Sequence, residues 1–271
     1  MKRRFHKMHG LGNDFVIVDA RPNTGNAPFD VTPALARAIA DRRTGVGCDQ
    51  LIVLDPSDSA DLRMRIWNSD GGEVESCGNA TRCVVQLTGA RRIDTAGGPV
   101  EGQAFGAEIE VSLGEPRFAW DEIPLAYPMD TSALPMAWDG LHQPIAVNVG
   151  NPHLVFFVPD ARVVPLDALG PRIESDPAFP ERINVNVGTL VDNGLKLRTF
   201  ERGSGETLAC GTGACASAVA AIASKGAQSP VTVDMTGGSL SVSWSPGEPV
   251  RMRGSATHVF DGELDLEALG A

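Results

Sequence analysis

Two cysteines stand at glycine-rich corners directly ahead of helical patterns: Cys77 in SDGGEVESCGNATRC (69–83) and Cys210 in GSGETLACGTGAC (203–215). The first N–H groups of a helix have no partner within the helix and carry the positive end of its dipole, so such a corner stabilises a thiolate and can hold a carboxylate. A thiol placed there ionises more readily than a free one. The same donors can stabilise negative charge that spreads onto a carboxylate when the neighbouring C–H is ionised. Two thiols on opposite faces of a carbon suit inversion of that centre, which needs a base on one side and an acid on the other.

The device is written twice. Asn68 precedes Cys77 by nine residues and Glu201 precedes Cys210 by nine, while Gly72-Glu73 and Gly205-Glu206 stand at the same offset of 133. GNDFVIV (12–18) resembles GNPHLVFFV (150–158) at an offset of 138. Spacings near half the chain length point to a duplicated domain. The expectation is a pair of small sheets, each wrapped on its own helix and related by a pseudo-twofold axis that sets Cys77 opposite Cys210. Competing uses of these residues fit less well. Cys77 to Cys83 and Cys210 to Cys215 lack the tight two-residue spacing of structural zinc ribbons. Cys83 and Cys215 fall inside helical patterns and read as small core residues, and Cys48 reads as structural. No GKS or GKT follows either glycine-rich corner, as a nucleotide loop would require.

The elements that must hold these corners are mostly short strands. Runs at 13–20, 49–54, 61–68, 107–113, 152–158, 195–201 and 239–244 alternate or are compactly apolar. Helical patterns cover 33–43, 79–89, 164–173 and 212–224, the third broken by Gly170-Pro171. The last is apolar and small-residued all round, the mark of a helix buried on every side. Between 115 and 144, five prolines and little periodicity suggest a connection between the halves.

The chain has 271 residues, 42% of them hydrophobic, enough for one large or two smaller cores. A net charge of -11 argues against nucleic-acid or anionic-membrane partners. No signal-peptide core and no run of about 18 apolar residues is present, so a cytoplasmic location is expected. Five cysteines, an odd number, do not suggest a disulfide framework. Only four lysines stand against nineteen arginines, and none sits in a convincing loop for a Schiff-base cofactor.

Taken together, HGLGNDF (9–15), GCDQ (47–50), NSDGGEVESCGNATRC (68–83), GNPH (150–153), ERIN (181–184), ERGSGETLACGTGAC (201–215), GGSL (237–240) and ATHVFDGEL (256–264) closely resemble the diaminopimelate epimerase family, in order and nearly end to end. The resemblance implies an α+β fold of two pseudo-symmetric domains, each a barrel-like, mainly antiparallel sheet around a central helix. The domains would span 1–116 and 117–256, with about 257–271 returning to the first and the site in the cleft between them. It implies interconversion of LL- and meso-diaminopimelate on the route to lysine and peptidoglycan, with no pyridoxal phosphate or metal, in a homodimer acting on a small-molecule substrate. Cys77 and Cys210 resemble the acid/base pair. Gly78, Asn79, Gly211 and Thr212 resemble the donors to the reacting carboxylate.

Asn13, Asn68, Asn151, Asn184 and Arg202 resemble the groups reading the distal amino-acid end, with Arg202 expected to be buried and bidentate. Gln50 and Glu201 also match site positions, Glu201 as a partner for a substrate ammonium or a tuner of a thiol. His153 is either a second tuning group or a satisfied structural histidine. Ala80-Thr81 and Thr236 depart from the commoner family pattern without removing a proposed catalytic group. Alternatives are a related proline or hydroxyproline racemase, and a thiol redox or binding protein.

Overall fold

The alternating runs become the strands of two units built on one plan. The computed structural model describes residues 2–22, 24–26 and 28–270. One unit comprises Met1–Val111 with Gly254–Ala271, the other Ser112–Arg253. In the first, Asn13–Asp19 pairs parallel with Gln50–Asp55, which pairs antiparallel with Leu62–Asn68. Leu62–Asn68 then takes Arg92–Thr95 as a parallel neighbour, and Gly98–Phe105 returns antiparallel. In the second unit the same sequence of pairings joins Pro152–Phe157, Asn184–Val191, Gly194–Glu201, Val231–Met235 and Gly238–Ser243. Strand Lys2–Gly10 pairs antiparallel both with Asn13–Asp19 and with the C-terminal strand Thr257–Asp265.

Parallel neighbours need a crossover, and helices supply it. Helix α1 (Pro33–Ala40) starts at Thr32, whose hydroxyl accepts from Leu35 N, and lays Leu35, Ala36 and Ile39 in the core. Helix α2 (Gly78–Thr88) is buried from Gly78 to Val85 and packs on strands 2–10, 98–105 and 257–265. Gly89 ends it in the left-handed conformation at φ 70°, which glycine adopts without penalty. Helix α3 (Leu166–Glu174) packs against strands 184–191, 194–201 and 205–207. Helix α4 (Gly211–Lys225) is touched by strands 145–148, 152–157, 184–191, 194–201, 231–235 and 238–243, so its small apolar side chains face strands on every side.

Two expectations are corrected. The stretch 115–144 is not a free connection: Ile123, Leu125, Leu134, Trp138 and Leu141 are buried with Phe156, Leu169 and Phe179 in the second unit's core. Its prolines suppress periodicity without removing the apolar anchors. Helix α3 also continues through Gly170-Pro171. Pro171 removes one N–H from the ladder, but Leu166, Leu169 and Ile173 are buried on the same face and hold the helix together. Gly170 is there for packing, since a Cβ on it would lie 2.4 Å from the Phe200 ring.

Gly-to-Ala inside a helix ordinarily stabilises by about 0.5–1 kcal/mol. At Gly170 the overlap with Phe200 reverses the sign. Urea unfolding of Gly170→Ala is expected to show a loss of about 1–3 kcal/mol; a gain would mean the ring has room to move.

Candidate active site

The first unit gathers Asn13, Gln50, Asn68, Cys77, Gly78 and Asn79. Cys77 is the N-cap of helix α2, in extended conformation, and Gly78 and Asn79 form the first turn. The Cys77 thiol donates to Asn13 Oδ1 at 3.9 Å, and Asn79 Nδ2 donates to the same oxygen at 3.3 Å. Asn79 is oriented by Arg82, a fully buried guanidinium that donates to Asn79 Oδ1 at 2.9 Å and to the Ser255 carbonyl at 3.2 Å. Gln50 and Asn68 face each other across neighbouring strands, with Nε2 of Gln50 donating to Asn68 Oδ1 at 2.8 Å. Gln50 Oε1 is buried without a hydrogen-bond partner, an acceptor suited to a ligand's N–H.

Asn13 is held from behind by a charge network. Its Nδ2 donates to Asp49 Oδ2 at 2.9 Å, while the backbone N–H groups of Asp14 and Asp49 donate reciprocally to each other's carboxylates. Arg42 binds both carboxylates and Lys7 binds Asp14 at 2.6 Å. Burial alone would raise the Asp14 carboxyl, but the bonds from Arg42 and Lys7 outweigh it and hold it at about 2.

The second unit gathers Asn151, His153, Asn184, Glu201, Cys210, Gly211 and Thr212. Cys210 is the N-cap of helix α4, and its sulfur accepts from Gly213 N at 3.3 Å. Thr212 Oγ1 lies 3.5 Å from that sulfur and accepts from Asn151 Nδ2 at 3.3 Å. Asn151 Oδ1 meets His153 Nε2 at 2.8 Å. Contrary to the expectation from its place at a helix start, burial pushes the Cys210 thiol well above its usual range, and the Glu201 carboxylate adds to this against the donors Thr212 and Gly213. Glu201 in turn accepts from the Thr207 hydroxyl. His153 is fully buried, and desolvation, helped by Arg202, brings its pKa down to about 3, so the ring is neutral at physiological pH.

Arg202 departs from expectation. It is exposed, and its guanidinium donates to the Glu181 carbonyl at 3.0 Å. It follows strand 194–201 directly and sits on the exposed turn 202–204, so its side chain lies outside the core. Asn184 is tied to the backbone, donating to the Pro152 carbonyl at 2.8 Å and accepting from Arg202 N at 2.9 Å. Cys48, Cys83 and Cys215 are buried core residues. Sequence reading passed over Asp49, Arg82, Asn186 and Thr199. The first two lie within the GCDQ and CGNATRC runs, and Asn186 shares its strand face with Asn184 through the two-residue period.

Burial drives the Cys48 and Cys83 thiols up to about 12. Iodoacetamide labelling near neutral pH, mapped by peptide mass spectrometry, is expected to modify half-buried Cys77 well ahead of both. Equal labelling of the three would contradict this packing. Asp14, lowered from 3.8 to about 2, contributes stability that is present above its unfolded value and lost as pH falls through about 2. Asp14→Asn should therefore cost about 2 kcal/mol near neutral pH. Urea midpoints taken from neutral to acid pH should show the difference from the native protein shrinking below about pH 4.

Comparison with known proteins agrees with the repeated plan. A family model described as diaminopimelate epimerase matches twice, over residues 5–119 and 145–259. The diaminopimelate epimerase of Rhizorhabdus wittichii is 61% identical over 273 residues, covering 100% of this chain and 98% of that protein. That of Erythrobacter litoralis is 54% identical, covering 98% of each. Among solved structures, a hydroxyproline epimerase from Agrobacterium vitis with bound trans-4-hydroxy-L-proline superposes with a TM-score of 0.68 at 14% identity, covering 97% of this chain and 91% of that one. A phenazine biosynthesis protein of Bacillus anthracis gives 0.66 at 17% identity, over 98% and 99%. These two likenesses show a common α+β fold of repeated units. The twofold family match and full-length identity place this chain in the diaminopimelate epimerase family.

Proposed function

We propose that the protein is a cofactor-independent isomerase that interconverts LL- and meso-diaminopimelate, with Cys77 and Cys210 as the two bases. The observation carrying this reading is that each unit sets a cysteine in the cap position of a buried helix, where serine or aspartate would ordinarily stand. One thiolate removes the α-proton, and the other thiol delivers its own proton to the opposite face. The first cysteine ends as a thiol and the second as a thiolate, so protons and charge balance, and the reverse direction exchanges the roles.

The N–H groups of the two first turns, with Asn79 and Thr212, hold the reacting carboxylate and take up the charge that develops on it. Gln50 Oε1 offers an acceptor to a substrate ammonium, and Glu201 supplies a carboxylate in the other unit. Arg202, exposed beside the Glu181 carbonyl, grips the distal carboxylate. A substrate without that distal group would forgo the contact with Arg202. The family resemblance supports a cytoplasmic homodimer that uses neither pyridoxal phosphate nor metal.

The test is incorporation of solvent deuterium at the α-carbon of LL-diaminopimelate, measured under reducing conditions with trans-4-hydroxy-L-proline as a control substrate. The native protein should exchange and invert diaminopimelate alone. Cys77→Ala and Cys210→Ala should each lose inversion by about 10²–10⁴-fold or more. Absence of exchange in folded, reduced protein would move the thiols to a redox or binding role, and exchange of hydroxyproline would move the substrate to the related racemases.

A further inference from the structure

Asn186 is fully buried on strand Asn184–Val191 and has no place in the reading above. Its amide can sit only one way round. Nδ2 lies 2.9 Å from the Leu154 carbonyl, a group that can only accept, so the NH2 end must face it. The same NH2 group is 3.1 Å from His153 Nδ1, and Oδ1 accepts from Thr199 Oγ1 at 2.9 Å. His153 Nδ1 is therefore an acceptor, and in a neutral imidazole the proton must reside on Nε2.

The direction of the next two bonds is then set. Nε2–H donates to Asn151 Oδ1, which turns Asn151 Nδ2 toward Thr212 Oγ1. Thr212 accepts there, which leaves its own proton free to turn to the sulfur of Cys210, 3.5 Å away. We infer that Asn186 is a positioning residue: it fixes the polarity of a chain through His153 and Asn151 to Thr212, so that the chain ends on a hydroxyl whose proton is free for the Cys210 sulfur. This rests on the reading of Cys210 as an acid/base group. A donor at that point favours the thiolate against the burial and the Glu201 charge that oppose it.

Two further features agree. Gly213, whose N–H also donates to Cys210, can approach only because it lacks a side chain, since a Cβ would lie 2.5 Å from Asn186 Oδ1. In the other unit the equivalent strand position is Phe15, paired with Gln50 as His153 is paired with Asn184, so no such chain exists there.

The test needs no turnover. Nitrogen-15 NMR of His153 in the native protein should show a neutral ring with the proton on Nε2; a proton on Nδ1 would overturn the proposal whatever any variant does. In a Cys77→Ala background, the rate of Cys210 alkylation by iodoacetamide reports its thiolate. Thr212→Val and Asn186→Ala should each slow it about tenfold. The combined variant should be no slower than Thr212→Val alone, because Asn186 acts through Thr212. Multiplying effects would show that Asn186 matters only to packing, and would sink the assignment. Failure of the epimerase reading would appear separately, as absent deuterium exchange with the ring proton still on Nε2.

Discussion

A helix that begins inside a protein leaves its first N–H groups without partners, and burial keeps water from supplying them. Both long buried helices here begin that way. In place of a Ser, Thr, Asp or Asn cap, each has a cysteine. Sulfur is a weaker cap: Cys210 takes one backbone N–H, that of Gly213, and Cys77 has no side-chain cap bond. What a thiol adds is ionisation, and what the remaining donors add is affinity for an anion. The surrounding strands follow from this demand. They must enclose an apolar helix on its sides, and helix α4, touched by six strands, meets them with alanine and valine.

The two corners share a backbone plan but differ in what stands behind them. Asn13 and Asn151 occupy matching strand starts, and each needs its amide pointed one way. In the first unit Asp49 does this by accepting from Asn13 Nδ2, and Asp49 is itself fixed by Arg42 and by exchange of backbone bonds with Asp14. The result presents an acceptor, Asn13 Oδ1, to Cys77. In the second unit a neutral His153 does it from a dry interior, and the result presents Asn151 Nδ2 to Thr212. Ion pairing serves where the loop is partly exposed, and an imidazole held uncharged serves where desolvation would penalise a carboxylate.

Much of this was legible in the residues. The repeat offsets reported a duplicated unit because spacing between strands and helix is set by the fold, and the Cys-Gly corners were visible because the same dipeptide recurs at that offset ahead of a helical pattern. The all-apolar pattern of 212–224 correctly implied a helix buried on every side. Other features were hidden for physical reasons. Strands 2–10, 184–191 and 257–265 carry polar residues on faces covered by neighbours or turned to solvent, which blurs the two-residue period. Gly170-Pro171 reads as a break because local propensity cannot register the core that holds both sides of it. Arg202 carries a charge suited to a carboxylate, and Gly203 and Gly205 announce the turn beside it, but a turn signal does not say whether its neighbour's side chain faces inward or out. Asn186 was passed over because its importance lies in a neighbour's carbonyl.

The duplication is also unequal at the second residue after each cap cysteine, and on the proposed reading this bears on how a thiol can serve as both acid and base. Thr212 and Asn79 hold corresponding places in the first turns of helices α4 and α2. Asn79 is an amide pinned by Arg82, so its donors and acceptor have fixed directions. Thr212 has a rotatable hydroxyl: it can donate to a thiolate through its hydrogen, or accept from a thiol through the lone pair that Asn151 leaves open. Changing the protonation state of Cys210 then requires only a hydroxyl rotation, with no displacement of heavy atoms. A carboxylate at this position would suit the thiol alone, and an ammonium the thiolate alone. A hydroxyl suits both, provided that the group behind it always donates from the same side, and that is what a histidine locked as the Nε2–H form ensures.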